Sequence, residues 1–198
     1  MTKINKLVMQ GFKSFADRTE LLFGDKFNVV LGPNGSGKSN VIDALCFVLG
    51  KSSSKSLRAE KSANLIYNGG KTRTPAKQGE VSIFFDNAKK TFPIDEEEVK
   101  ITRIVKQNGQ SVYKINNKTR TRQEVVDLLS ISKINPDGHN IILQGDIVHF
   151  IEMSTTERRQ IIEEISGISV YEEKKQKALK EIERVEEKLK EAEIILSE

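Results

Sequence analysis

One cysteine and two histidines are all that this chain of 198 residues offers to disulfide or soft-metal chemistry. A single thiol cannot close an internal disulfide or build a cysteine metal site, and Cys46 lies in the apolar stretch NVIDALCFVLG, where it reads as a buried thiol. His139 and His149 have no ligand-pair spacing and read as structural. No run of residues approaches the roughly 20 apolar positions of a membrane span, and the N-terminus carries no apolar signal segment. These absences exclude a disulfide scaffold, a zinc module and a membrane protein, and predict a cytoplasmic chain. With 37% hydrophobic residues the chain can bury the core of one large domain, or of one domain with an appendage.

The net charge of +4 is unevenly spread. Residues 1–78 hold 13 Lys/Arg against 5 Asp/Glu, a local +8, whereas residues 151–198 hold 9 against 13, a local −4. The basic N-terminal part exceeds what one triphosphate requires, which points to a polyanion such as nucleic acid alongside ordinary solvated lysines.

Against this background GPNGSGKS, Gly32 through Ser39, fits the phosphate-loop pattern G-x-x-x-x-G-K-[ST] in full. It follows the apolar run FNVVL, Phe27 to Leu31, which reads as a strand, and leads into a predicted buried helix from Asn40 to Leu49 that stops at Gly50. Strand, glycine turn and helix form the context in which backbone N–H groups and a helix N-terminus face phosphate oxygens. The pattern assigns Lys38 to the β/γ-phosphates and Ser39 to Mg²⁺, so the chain is expected to bind a nucleoside triphosphate.

The flanking sequence predicts an α/β fold. INKLVMQ reads as a strand ending in a turn at Gly11, and ADRTELLF as a second strand. The polar stretch from Lys51 to Gly79 reads as exposed loop with at most short ordered pieces. EVSIFFDN, VKITRIVKQ and SVYKINN alternate like antiparallel strands, the last two joined at Asn108-Gly109. Thr121 with Glu124, and Ser154 with Glu157, have capping-box spacing before two helices. HNIILQGD, His139 to Asp146, reads as a buried strand. From Tyr171 onward Ala178, Ile182, Val185, Leu189, Ala192 and Leu196 form a heptad stripe. This rod, about 40 Å long, either pairs with a partner helix or folds back onto the domain.

One further absence matters more than the rest. Beyond residue 80 no run of four apolar residues ends in Asp-Glu, the usual place for the carboxylates that complete a Mg²⁺ site and orient water. The nearest candidate, FFD at Phe84 to Asp86, sits among antiparallel strands. A complete phosphate loop, no hydrolytic acids and one coiled-coil strand together suggest half of a larger unit.

LVMQGFKSFAD, VVLGPNGSGKSNVIDALCFVLG, KSLRAEKSANLIYNG and ILQGDI, with the heptads that follow, resemble the N-terminal half of the head of an archaeal SMC (structural maintenance of chromosomes) protein. The resemblance covers essentially the whole chain. It implies the N-terminal lobe of an ABC-type ATPase head over residues 1–165, with an antiparallel β subdomain, and the start of a coiled-coil arm over 166–198. It implies ATP and Mg²⁺ as cofactors and ATP hydrolysis coupled to DNA binding in chromosome condensation, segregation or cohesion. Lys38, Gln144 and Arg58 then take catalytic roles, and Ser39 and Gln144 the metal. Pro33, Asn34, Gly35, Ser36, Gly37, Lys38, Ser39 and Asn40 line the nucleotide together with Gln144, and Lys13, Ser14 and Phe15 lie beside the base and ribose. The implied partners are the C-terminal half of the same head, a second SMC subunit as a homodimer, a kleisin subunit at the neck, and double-stranded DNA, on the chromosome. A double-strand-break repair ATPase of the same plan, RecN-like or carrying a zinc hook, is the nearest rival. A small-molecule kinase, which would need a lid rich in arginine and no heptad tail, is the rival from another class.

Overall fold

The computed structural model describes residues 2–136, 141–143, 151–165, 175 and 178–190. The chain divides into two units, Met1–Ile141 and Ile142–Glu198.

The first unit is built on a six-stranded sheet in the order β2-β1-β3-β4-β5-β6, every neighbouring pair antiparallel. Its strands are β1 (Ile4–Gln10), β2 (Thr19–Leu22), β3 (Gln78–Asp86), β4 (Glu98–Lys106), β5 (Ser111–Ile115) and β6 (Lys118–Arg120). Alternation sets the two faces. Leu7 and Met9 of β1, Val81, Ile83 and Phe85 of β3, and Val99, Ile101 and Val105 of β4 share one face, all fully buried. Helix α1 (Lys38–Val48) contributes Ala44, Phe47 and Val48 to the same core. On the opposite face Ser82 and Thr102 share a hydrogen bond of 2.8 Å, so neither buried hydroxyl is orphaned.

The turn chemistry explains the register. β4 and β5 are joined through Asn108-Gly109, with Gly109 at φ 81° as expected. β5 and β6 are joined by Asn116-Asn117, both left-handed at φ 44° and 66°, a two-residue hairpin turn that asparagine tolerates better than most residues. The sequence reading did not identify β6. Helix α2 (Arg122–Ile131) begins with the expected capping box, and its bonds to Thr121 hold the Glu124 carboxyl below the usual carboxylate range.

One expectation is corrected. Residues 27–31, read as a strand, have no strand partner among the described residues, and Phe27 and Leu31 are 89% and 85% exposed. Their apolar character is that of a strand, but no strand within the described unit hydrogen-bonds to it. The segment 51–79, read as exposed loop with at most short ordered pieces, contains two such pieces, the 3₁₀ turns Lys55–Leu57 and Ser62–Leu65, whose Leu57 and Leu65 are buried. Of the strand expected over 139–146, residues 141–143 are not extended into a sheet and the others lie outside the described residues.

The second unit contains α3 (Thr155–Ile165), opened by Ser154 and Glu157 in reciprocal hydrogen bonds, and a helix over 178–190. Ile182, Val185 and Leu189 of the heptad stripe are more than half exposed. Tyr171, Ala192 and Leu196 lie outside the described residues. No described helix is long and apolar enough to cross a membrane.

Candidate functional site

The glycine loop turns through two residues in the left-handed region, Gly35 at φ 80° and Gly37 at φ 92°. At Gly37 a methyl group would also lie 2.6 Å from Ser14 Oγ, so this position admits glycine alone on two counts. Lys38 Nζ donates to the carbonyls of Gly32 and Pro33, both at 2.7 Å, and closes the loop around its own ammonium group. Ser36 N–H donates to Pro33 O at 3.3 Å, and the side chains of Asn34, Ser36 and Ser39 are exposed.

Helix α1 starts from Gly37 with no side-chain cap and no acidic residue in its first turn. This contrasts with α2 and α3, where the chain supplies a Ser or Thr and a Glu. The leading N–H groups and the positive end of the α1 dipole are therefore not satisfied by a side chain, which suits an anion.

The turn GFKSF lies against this helix. Phe12 and Phe15 exchange backbone hydrogen bonds of 3.0 and 2.8 Å, and the Phe12 ring packs on Phe47 of α1 with centroids 5.1 Å apart. Phe15 is half-buried and joins the site through this backbone turn. Lys13, at the tip, is left-handed at φ 46°. Its N–H donates to Leu65 O at 2.8 Å, and its ammonium reaches Asp43 Oδ2 and Leu57 O, each at 2.5 Å. Asn40 Nδ2 donates to Ser14 Oγ at 2.9 Å, while Asn40 Oδ1 accepts from Arg58 Nη2 at 3.2 Å. Arg58 Nε lies 3.3 and 3.2 Å from the two Asp43 oxygens, and its Nη2 also pairs with Asp43 Oδ2. Lys13, Ser14, Asn40 and Arg58, separated by up to 45 positions, thus meet on one face of α1. A cavity of about 620 Å³ opens beside Lys13 and Arg58, with Asn64, Tyr67, Asn68 and Gln107 along its wall.

Asp43 is the residue that sequence reasoning missed. It is 2% exposed and accepts from both cations. The available signal was an acid in the otherwise apolar run NVIDALCFV, four positions after Ser39 and so one turn along the same face. Gln144, expected to complete the site, lies outside the described residues, as do His139 and His149.

Comparison with known proteins follows the same lines. The profile of the family described as RecF/RecN/SMC N terminal domain matches residues 3–196. The chromosome partition protein Smc of Pyrococcus furiosus is 47% identical over 199 residues, covering 100% of this chain and 17% of that protein. The chain therefore spans about a sixth of the length of that relative. Among solved structures, the P. furiosus Smc head domain with an extended coiled coil, bound to the C-terminal domain of ScpA, has a TM-score of 0.84 at 47% identity, covering 98% of this chain and 49% of that one. A chain solved in work on ATP-driven dimerization and DNA stimulated activation of SMC ATPases has a TM-score of 0.77 at 47% identity, covering 82% of this chain and 98% of that one. An uncapped glycine-loop helix, an antiparallel sheet beside it and these matches lead to one assignment: the chain belongs to the RecF/RecN/SMC N-terminal domain family, as the N-terminal lobe of an SMC-type head.

Proposed function

We propose that this chain is the ATP-binding part of a head that hydrolyses ATP in step with DNA binding, in chromosome segregation or condensation. The observation that carries the reading is the glycine loop closed around Lys38 at an uncapped helix N-terminus. Oriented N–H groups, an ammonium and an exposed serine hydroxyl in the first helical turn make a donor set that fits Mg·ATP. In this reading Pro33, Asn34, Gly35, Ser36 and Gly37 cradle the phosphates and Lys38 holds the β/γ oxygens. Ser39 and Gln144 would hold Mg²⁺, which would supply charge neutralisation at the transferring phosphoryl group. Gln144 also orients the attacking water. Lys13, Ser14, Phe15 and Asn40 lie beside the nucleoside, for which the adjoining cavity provides space. Arg58 links turnover to DNA.

The carboxylates that complete such a site come from a second segment, the C-terminal half of the same head. The exposed apolar run at 27–31 supports this, since a strand of that character needs a partner. We place the head portion at residues 1–165 and the beginning of a coiled-coil arm at 166–198. A second SMC subunit as homodimer partner is supported by the relative from work on ATP-driven dimerization of SMC ATPases, and a kleisin at the neck by the P. furiosus head bound to ScpA. The local +8 over residues 1–78 suits phosphate contacts with double-stranded DNA, which are salt-dependent and indifferent to sequence.

The test is equilibrium binding of Mg·ATP by the assembled head, read by calorimetry. Lys38→Ala removes a charge-assisted contact and is expected to weaken binding about ten- to a hundredfold. Unchanged affinity in that variant would sink the assignment of the loop.

A further inference from the structure

Asp43 has no place among the nucleotide-binding roles above, yet it is the most buried charged group around the loop. It stands four residues after Ser39, so α1 carries its phosphate-facing first turn and, one turn on, this carboxylate. Two cations from separate loops converge on it. Lys13 and Arg58 both hold left-handed backbones, φ 46° and 55°, a conformation unfavourable for residues with a Cβ. Such conformations persist where the surroundings over-determine them. Lys13 is fixed through Leu65 O, Leu57 O and Asp43, and Arg58 through Lys55 O, Asn40 and Asp43. Asp43 is the side chain common to both.

The way Arg58 is held matters for chemistry. Its Nε and Nη2 edge is taken by Asp43 and Asn40. Its Nη1 hydrogens have no partner among the described residues, and the side chain is 45% exposed. One edge of the guanidinium is therefore anchored and the other is available to an anion. One carboxylate between two cations also leaves one positive charge unmatched beside the phosphate loop.

We propose that Asp43 is a positioning residue for ATP hydrolysis, aiming Arg58 from the phosphate-loop helix so that the arginine moves with the nucleotide. This rests on the ATP reading above. Asp43 is 2% exposed and both its oxygens are engaged by Lys13 and Arg58, so it acts through Arg58, and its effect belongs to turnover more than to binding.

The experiment measures kcat, KM and Mg·ATP binding in the full-length protein, with and without DNA, for Asp43→Asn, Arg58→Ala and the double variant. Asp43→Asn keeps the shape and removes the charge. It is expected to lower kcat about tenfold while shifting KM and the binding constant less than about threefold. In the Arg58→Ala background the same substitution is expected to have almost no further effect, because the group it aims is gone. Asp43→Glu, which keeps the charge at a displaced position, is expected to fall between wild type and Asp43→Asn. It also carries the same cycle if the asparagine variant does not fold. An equal loss of kcat with and without Arg58, or a wild-type kcat in Asp43→Asn, overturns the proposal. Failure of the wild-type protein to bind Mg·ATP at all overturns the ATP reading beneath it.

Discussion

Arg103 keeps a guanidinium where only 6% of the residue meets solvent, and no carboxylate among the described residues pairs with it. Its partners are neutral oxygens: Nη1 donates to Phe47 O at the end of α1 at 2.9 Å and to Lys51 O just beyond it at 2.8 Å, and Nε and Nη2 donate to Ser111 Oγ at 3.3 and 3.2 Å, so the cation sits at the negative end of the helix dipole. The Phe47 and Tyr113 rings flank it at 4.1 and 4.9 Å. Burial pulls the Arg103 pKa down and pushes that of Tyr113 up. Arg103→Met would remove the guanidinium donor from Lys51 O and from Phe47 O, which keeps only its backbone donor Gly50 N–H, and is expected to cost about 1–3 kcal/mol in urea unfolding of the assembled head. An unchanged midpoint and slope would show that solvent replaces the guanidinium without loss. The sequence hinted at this residue: in VKITRIVKQ the alternation that buries Val99, Ile101 and Val105 also puts Arg103 on the core face. It could not reveal what satisfies the charge, because Phe47 and Lys51 are more than fifty positions away. Asp43 was hidden for the same reason, since its two cations come from loops that only the folded chain brings together.

At the scale of elements, local chemistry was the legible part. Both capping boxes form, because their bonds close within four residues. The alternating runs become β3, β4 and β5 in antiparallel register, as read. What failed was FNVVL, whose composition favours a strand while strand formation depends on a neighbour. That dependence gives a prediction. The chain alone is expected to bind a hydrophobic dye, and addition of the complementary head segment is expected to suppress the signal. Substituting Phe27→Asp and Val29→Asp, in the exposed run and clear of the glycine loop, is expected to weaken co-elution with that segment about tenfold or more, since each buried side chain contributes a sizeable apolar area. Undiminished co-elution would mean that the second segment docks elsewhere.

For the molecule as a whole, three features describe a structure that works with other polypeptide. The first unit leaves an apolar run exposed at 27–31. The helix over 178–190 presents Ile182, Val185 and Leu189 to solvent, on a segment whose remaining residues are mostly charged. Such a helix draws most of its stability from a partner stripe. Finally, the phosphate loop is complete, while beyond residue 80 no run of four apolar residues ends in Asp-Glu. Steady-state ATP hydrolysis, measured for this chain alone and after assembly with the complementary head segment, tests the central claim most directly. We predict no turnover from the chain alone, turnover after assembly, and its loss in Lys38→Ala. Robust hydrolysis by these 198 residues by themselves would contradict the account, because the catalytic carboxylate would then lie within this chain.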